Sequence, residues 1–206
     1  MPQEIFFACD GLELEGLLET GTTGRAVVIT HPHPLYGGDM RNSVVAAMAA
    51  AWAGLGWTTL RFNFRGVGRS GGVHDEGRGE RRDVKAAVDF VRSTPLVTEV
   101  TLAGYSFGSW VNARAADLFA QVPPQVMVSP PVAFIDFGPP AEIPGLQLVV
   151  TGSDDDIAPV DRIRRLLPAW SRGAVLEVID GADHFYGGRL DALRRILATH
   201  AAGEAQ

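Results

Sequence analysis

The chain has 206 residues, 46% hydrophobic and 20% charged, an ordinary composition for a soluble globular protein and a length suited to one domain with a substantial core. Eighteen basic against 24 acidic residues leave a net charge of −6, which argues against nucleic acid or an anionic membrane as partner. The single cysteine, Cys9, excludes an internal disulfide and a cysteine-based zinc site, and it fits a reducing cytoplasm, the compartment expected here.

Met1 to Glu4 carry no basic segment, and Ile5 to Ala8 are too short for a secretory core, so no targeting signal is expected. Residues 4–9 and 12–18 read as two strands around a turn at Asp10-Gly11. Arg25 to Thr30 contain Ala-Val-Val-Ile, a buried strand by its β-branched content. The prolines and glycines of His31-Pro32-His33-Pro34-Leu35-Tyr36-Gly37-Gly38 make a loop. Asn42 is placed to cap a helix running to about Ala53, which Gly54 and Gly56 end. The apolar run Val44 to Trp57 is too short to span a bilayer and predicts a buried helix.

Trp57 to Phe64 read as a strand and Gly66 to Gly79 as a loop. Glu80 to Arg92 are helical, with Val84, Ala87, Val88 and Val91 at i, i+3, i+4 and i+7. Val100 to Ala103 form a short buried strand. A helix from Ser109 to Ala120 follows, with Val111, Ala115 and Leu118 on one stripe. Strands are expected at Gln125 to Ser129, Leu146 to Thr151 and Ala174 to Ile179, and helices at Asp161 to Trp170 and Arg189 to His200. The tail, Ala201 to Gln206, is expected to fray. Strands alternating with helices predict an α/β fold with a mainly parallel sheet, and no repeat or composition shift marks a second domain.

Gly104-Tyr105-Ser106-Phe107-Gly108 match G-x-S-x-G, the nucleophile elbow, between a predicted strand and a predicted helix. A serine there is held clear of the backbone at the positive end of a helix dipole, where a developing oxyanion is favoured. The bland alternative is a glycine-rich turn whose serine only caps the helix. A serine nucleophile needs a base, and the base needs an acid to hold its tautomer. His184 follows the last strand in a glycine-flanked loop and is the natural base. Asp154, Asp155 and Asp156 directly follow a strand and supply candidates for the acid. The order Ser…Asp…His is the one this architecture requires.

The tetrahedral intermediate also needs two backbone donors. One is the amide of Phe107, the residue after the nucleophile. The second is expected from the loop after the Ala26–Thr30 strand, where Pro32 and Pro34 cannot donate. His33 is the first choice, with Leu35 and Tyr36 as alternatives.

Five segments together resemble one family. His31 to Gly38, followed by Asn42 and Val44-Val45, resemble the oxyanion loop of a group of compact bacterial hydrolases. Phe62 to Ser70 resemble the arginine-glycine segment of the α/β-hydrolase superfamily. Gly152-x-x-Asp155-x-x-x-Pro159 resemble its acid loop, and Gly181 to Phe185 its histidine loop. With the elbow, these cover nearly the whole chain and resemble a small serine hydrolase of the dienelactone-hydrolase-like branch, although that branch's namesakes carry cysteine where Ser106 stands. The resemblance implies an α/β-hydrolase fold, and it selects Asp155 as the acid. Pro130 to Gly145 leave no room for a cap domain.

The implied activity is hydrolysis of short-chain carboxylic esters, or of thioesters by the same chemistry, through an acyl-enzyme on Ser106, with a small-molecule ester as partner and no cofactor. A catalytically silent scaffold acting as a binding module, or a peptidase or transacylase on the same triad, are the competing functions. Gly66-x-Gly68-x-x-Gly71 match a dinucleotide fingerprint, but the sequence opens no helix there to seat a pyrophosphate. His31-x-His33 with Asp39 nearby lack a completing ligand for a metal. Arg65 and Arg69 are expected to tie down loops. Phe134, Ile135 and Phe137 suit either the core or an acyl pocket.

Overall fold

The computed structural model describes residues 1–139 and 141–203. Its strands are β1 (Gln3–Cys9), β2 (Leu12–Glu19), β3 (Arg25–Thr30), β4 (Thr58–Phe62), β5 (Glu99–Tyr105), β6 (Gln125–Val128), β7 (Leu146–Gly152) and β8 (Val175–Ile179). Its α-helices are α1 (Ser43–Ala53), α2 (Glu80–Arg92), α3 (Phe107–Ala115), α4 (Val160–Trp170) and α5 (Leu190–Gly203). The strands form one sheet in the order β1-β2-β4-β3-β5-β6-β7-β8. The first two join antiparallel, as their tight turn requires, and from β4 to β8 every pairing is parallel.

Alternation along each strand sends neighbouring side chains to opposite faces, and both faces are covered. Val27, Ile29, Val126, Val128, Leu148 and Val150 pack under α1 and α5. Ala26, Val28, Leu60, Phe62 and Leu102 pack under α2 and α3. Met127 and Val149 meet Ile163 and Trp170 of α4. Apart from Ala26, each of these aliphatic, methionine or phenylalanine side chains contributes about 1.5–3 kcal/mol when fully buried. The alanine-rich α1 fits this arrangement because small side chains let it lie between the sheet and α5. Asn42 caps it, accepting from the Val44 amide at 2.9 Å. Among the described residues no helix is long and apolar enough to cross a membrane.

Several expected boundaries move. The elbow helix starts two residues early, at Phe107, because the turn passes straight into it, and it ends at Ala115 in a 3₁₀ turn over Ala116–Leu118. The fourth strand stops at Phe62. The Asn63 amide still donates to the Glu15 carbonyl, but its side chain accepts from the Met40 amide and donates to Glu15, and the Phe64 amide donates to His31, so side chains take over from the ladder. The expected fraying at Ala201 does not occur: α5 continues to Gly203, with Ala201 buried against the core, and residues 204–206 lie outside the described residues.

Gly104 shows why the elbow tolerates no side chain at that position. A Cβ there would lie 2.5 Å from the Ser109 nitrogen and 2.6 Å from the Gly108 carbonyl carbon, both backbone atoms that cannot yield. Gly104→Ala is therefore expected to destabilise the protein by at least about 1–3 kcal/mol. A urea midpoint equal to the parent's would contradict this reading of the turn.

Candidate active site

The carboxyl ends of β3, β4, β5, β7 and β8 open into the loops that carry the polar residues, as in other open α/β sheets. At the end of β5, Ser106 sits at φ 53°, ψ −121°, a region that costs a non-glycine residue about 1–3 kcal/mol. Backbone bonds hold it there. The Ser106 amide donates to Val128 at 2.9 Å, and the Ser109 amide donates to the Ser106 carbonyl at 2.9 Å. Gly108 lets the start of α3 pass against Thr30, whose Oγ1 would lie 2.5 Å from an added Cβ.

The acid and histidine loops are laced together. The Ser153 amide donates to Ile179 at 3.0 Å, the Asp154 amide to Ala182 at 3.0 Å, and the Gly181 amide to the Ser153 hydroxyl at 2.8 Å. At Gly152 an added Cβ would lie 2.0 Å from the Ala182 carbonyl oxygen, so the two loops close only on glycine. This lacing sets the register between two segments distant in sequence. His184 Nε2 lies 3.0 Å from Ser106 Oγ, and His184 Nδ1 lies 2.9 Å from Asp155 Oδ2. The three side chains are buried and hydrogen-bonded in one line.

Of the three adjacent aspartates, only Asp155 is buried; Asp154 and Asp156 are exposed. Burial pushes the Asp155 carboxyl up. The hydrogen bond and charge of His184, with the Ser129 hydroxyl and the Ala158 amide, outweigh burial and hold it below the ordinary carboxylate range. Asp155 Oδ1 also accepts from the Ala158 amide at 2.7 Å and the Ile157 amide at 3.0 Å.

In the loop after β3, the Leu35 amide is spent on His33 Nδ1 at 3.2 Å and the Tyr36 amide on the His33 carbonyl at 3.1 Å. The His33 amide meets no protein acceptor among the described residues. Its ring packs 4.6 Å from that of Phe107, whose own amide opens α3 and has no intrahelical acceptor. His31 works differently. Burial pushes its imidazole down to about 4, so it is neutral. Its Nε2 accepts from the Phe64 amide at 3.0 Å, which leaves Nδ1 to donate to the Pro32 carbonyl at 2.7 Å. Both ring nitrogens are thus committed to bracing this loop. Among the described residues no three metal-ligating side chains gather.

Arg65 pairs with buried Asp83 at 2.7 Å, and Arg69 bridges Glu15 at 2.9 Å and Glu4 at 2.8 Å, so both arginines tie loops to the scaffold. Gly66, Gly68 and Gly72 take positive φ in a loop that opens no helix before Glu80. Phe137 lies against Trp170 and Ile135 against the α2–α3 core, whereas Phe134 is 75% exposed.

Three nearby residues carry no motif and escape a reading of the sequence. Tyr105 donates to the His184 carbonyl at 2.8 Å, and the hydroxyls of Ser129 and Tyr186 lie 2.8 Å apart. The only available signal was proximity: Tyr105 precedes the serine and Tyr186 follows the histidine by two.

A serine, histidine and aspartate lined up at the carboxyl edge of a parallel sheet flanked by helices define the α/β-hydrolase architecture. No family model matches the chain. It is 34% identical to a structure of an α/β serine hydrolase homologue from Coxiella burnetii, covering 96% of each chain with a TM-score of 0.88. A structure from Xanthomonas campestris, described as an α/β serine hydrolase without a lid, is 29% identical with a TM-score of 0.86, covering 95% of this chain and 91% of that one. An uncharacterized protein of Rickettsia prowazekii is 34% identical over 199 residues, 90% of this chain and 82% of its own. The chain belongs to the α/β serine hydrolase family.

Proposed function

We propose that the protein hydrolyses short-chain carboxylic esters, and thioesters by the same chemistry, through an acyl-enzyme on Ser106. Ser106 Oγ attacks the carbonyl carbon while His184 Nε2 takes its proton. Asp155 holds the Nδ1–H tautomer and stabilises the imidazolium. The oxyanion is received by the amides of Phe107 and His33, the donors left free where those of Leu35 and Tyr36 are spent. The imidazolium then protonates the leaving alkoxide or thiolate. Water, deprotonated by His184, cleaves the acyl-enzyme and restores Ser106. The observation that carries this reading is the Ser106–His184–Asp155 line, with contacts of 3.0 and 2.9 Å, on a strained elbow.

The preference for short acyl chains follows from what stands over the serine. Between β6 and β7 the chain spends only residues 129–145, and no helix forms there among the described residues. A site without a cap offers little apolar surface to a long chain. Each methylene beyond the first few should stop contributing its roughly 0.8 kcal/mol. The test is a series of p-nitrophenyl esters from acetyl to palmitoyl, with labelling by a fluorophosphonate. Expected are stoichiometric labelling and a kcat/KM that levels off after a few carbons. A kcat/KM still rising at dodecanoyl would contradict the open site. No labelling would contradict an activated serine.

A further inference from the structure

The chain has six described non-glycine residues at positive φ, and three of them, Ser106, Ser129 and Tyr186, stand around the proposed site. The strained turn at Ser106 holds its hydroxyl 3.0 Å from His184 Nε2. Ser129 and Tyr186 are both fully buried, and their hydroxyls meet each other at 2.8 Å. A buried tyrosine in a left-handed conformation persists only where its surroundings over-determine it.

The location explains what the pair does. Ser129 closes β6, between the elbow strand and the acid strand, and its amide donates to Val150 of β7 at 2.7 Å. Tyr186 follows His184 by two residues, and Arg189 N–H donates to its carbonyl at 2.9 Å. The Ser129 hydroxyl also helps hold the Asp155 carboxyl below the ordinary carboxylate range. The hydrogen bond between the Ser129 and Tyr186 hydroxyls thus joins the end of β6 to the histidine loop beside the acid. Tyr186 cannot ionise to break it, because burial drives its phenol far above the ordinary range, although the Ser129 bond works the other way.

We propose that Ser129 and Tyr186 are positioning residues, a buried hydroxyl pair that ties the histidine loop to the end of β6 so that His184 Nδ1 meets Asp155. The amides of Ile157 and Ala158 hold Oδ1 from within the acid loop. The hydroxyl pair adds restraint from β6 and from the histidine loop, so elements carrying the serine, acid and base are locked to one another. This rests on the reading of Ser106, His184 and Asp155 as the reacting line.

The test uses Tyr186→Phe, which deletes one oxygen, and Ser129→Ala, with p-nitrophenyl acetate as the probe substrate. Each is expected to lower kcat about tenfold with KM within about twofold, because a buried hydrogen bond that holds the histidine loop in place is lost away from the substrate. The double variant should be no slower than the slower single variant, since the same hydrogen bond is broken either way. A second readout needs no substrate: the proton shared by His184 Nδ1 and Asp155 should resonate far downfield in the parent and move in both variants. Thermal melts establish which variants fold, and Tyr186→Phe suffices if Ser129→Ala does not. Unchanged kcat, an unmoved proton, or losses that multiply in the double variant would overturn the proposal. An inactive parent that a fluorophosphonate does not label would instead overturn the reading of the triad.

Discussion

Ser106→Ala is expected to lower kcat on a short ester by on the order of 10⁶ while leaving the thermal transition in place. The two halves of this expectation have separate causes. The hydroxyl is the attacking atom, and among the described residues no other oxygen hydrogen-bonds to His184 Nε2 to replace it. The fold does not depend on it, because the elbow is held by backbone bonds from Ser106 to Val128 and from Ser109 to Ser106, which alanine keeps. Losing one side-chain hydrogen bond costs about 1 kcal/mol of stability. The measurement pairs steady-state turnover of the purified variant with its melt. Turnover comparable to the parent's, with contaminating esterase excluded by fluorophosphonate titration, would remove Ser106 from the mechanism.

Asp155→Asn should cost roughly 10⁴ in kcat, the scale at which serine hydrolysis suffers when the histidine loses its carboxylate. Asparagine keeps the volume and an oxygen to accept from Ala158, so the loop should survive. It presents its amide hydrogens or a neutral oxygen to His184 Nδ1, which no longer fixes the tautomer or stabilises the imidazolium. Asp154→Asn and Asp156→Asn are the internal controls. Both side chains are exposed, and Asp154 accepts from its neighbour Ser153 at 2.8 Å. All three variants are assayed on one short ester. If either control falls furthest while Asp155→Asn stays active, the acid must be reassigned.

The family comparison bears on these expectations at the level of class: α/β serine hydrolases share the strand–elbow–helix scaffold, and loop variation on it sets the substrate. Leu35 and Tyr36, in the loop of His33, and Phe185, next to His184, are exposed. These side chains are the place to vary once an ester is known to turn over.

What the sequence by itself determined was local. Val84, Ala87, Val88 and Val91 announce the buried face of α2, Asn42 announces the cap of α1, and Gly104 and Gly108 announce a turn that permits no side chain, because period, capping and steric exclusion act over a few residues. The order of the elbow, the aspartates and His184 was legible for the same reason: each follows a strand, and strands could be read one by one. Tertiary structure decided everything that depends on register between distant segments. Asp154, Asp155 and Asp156 are chemically alike, and only the lacing of their loop to Ile179 and Ala182 sends one of them to His184. Leu35 and Tyr36 stood as alternatives to His33, the first choice, and only the turn shows that their amides are consumed. The pairing of Ser129 with Tyr186 leaves no trace in sequence at all. It joins residues 57 positions apart through a single 2.8 Å contact, which exists only after β6 and the histidine loop have packed against each other.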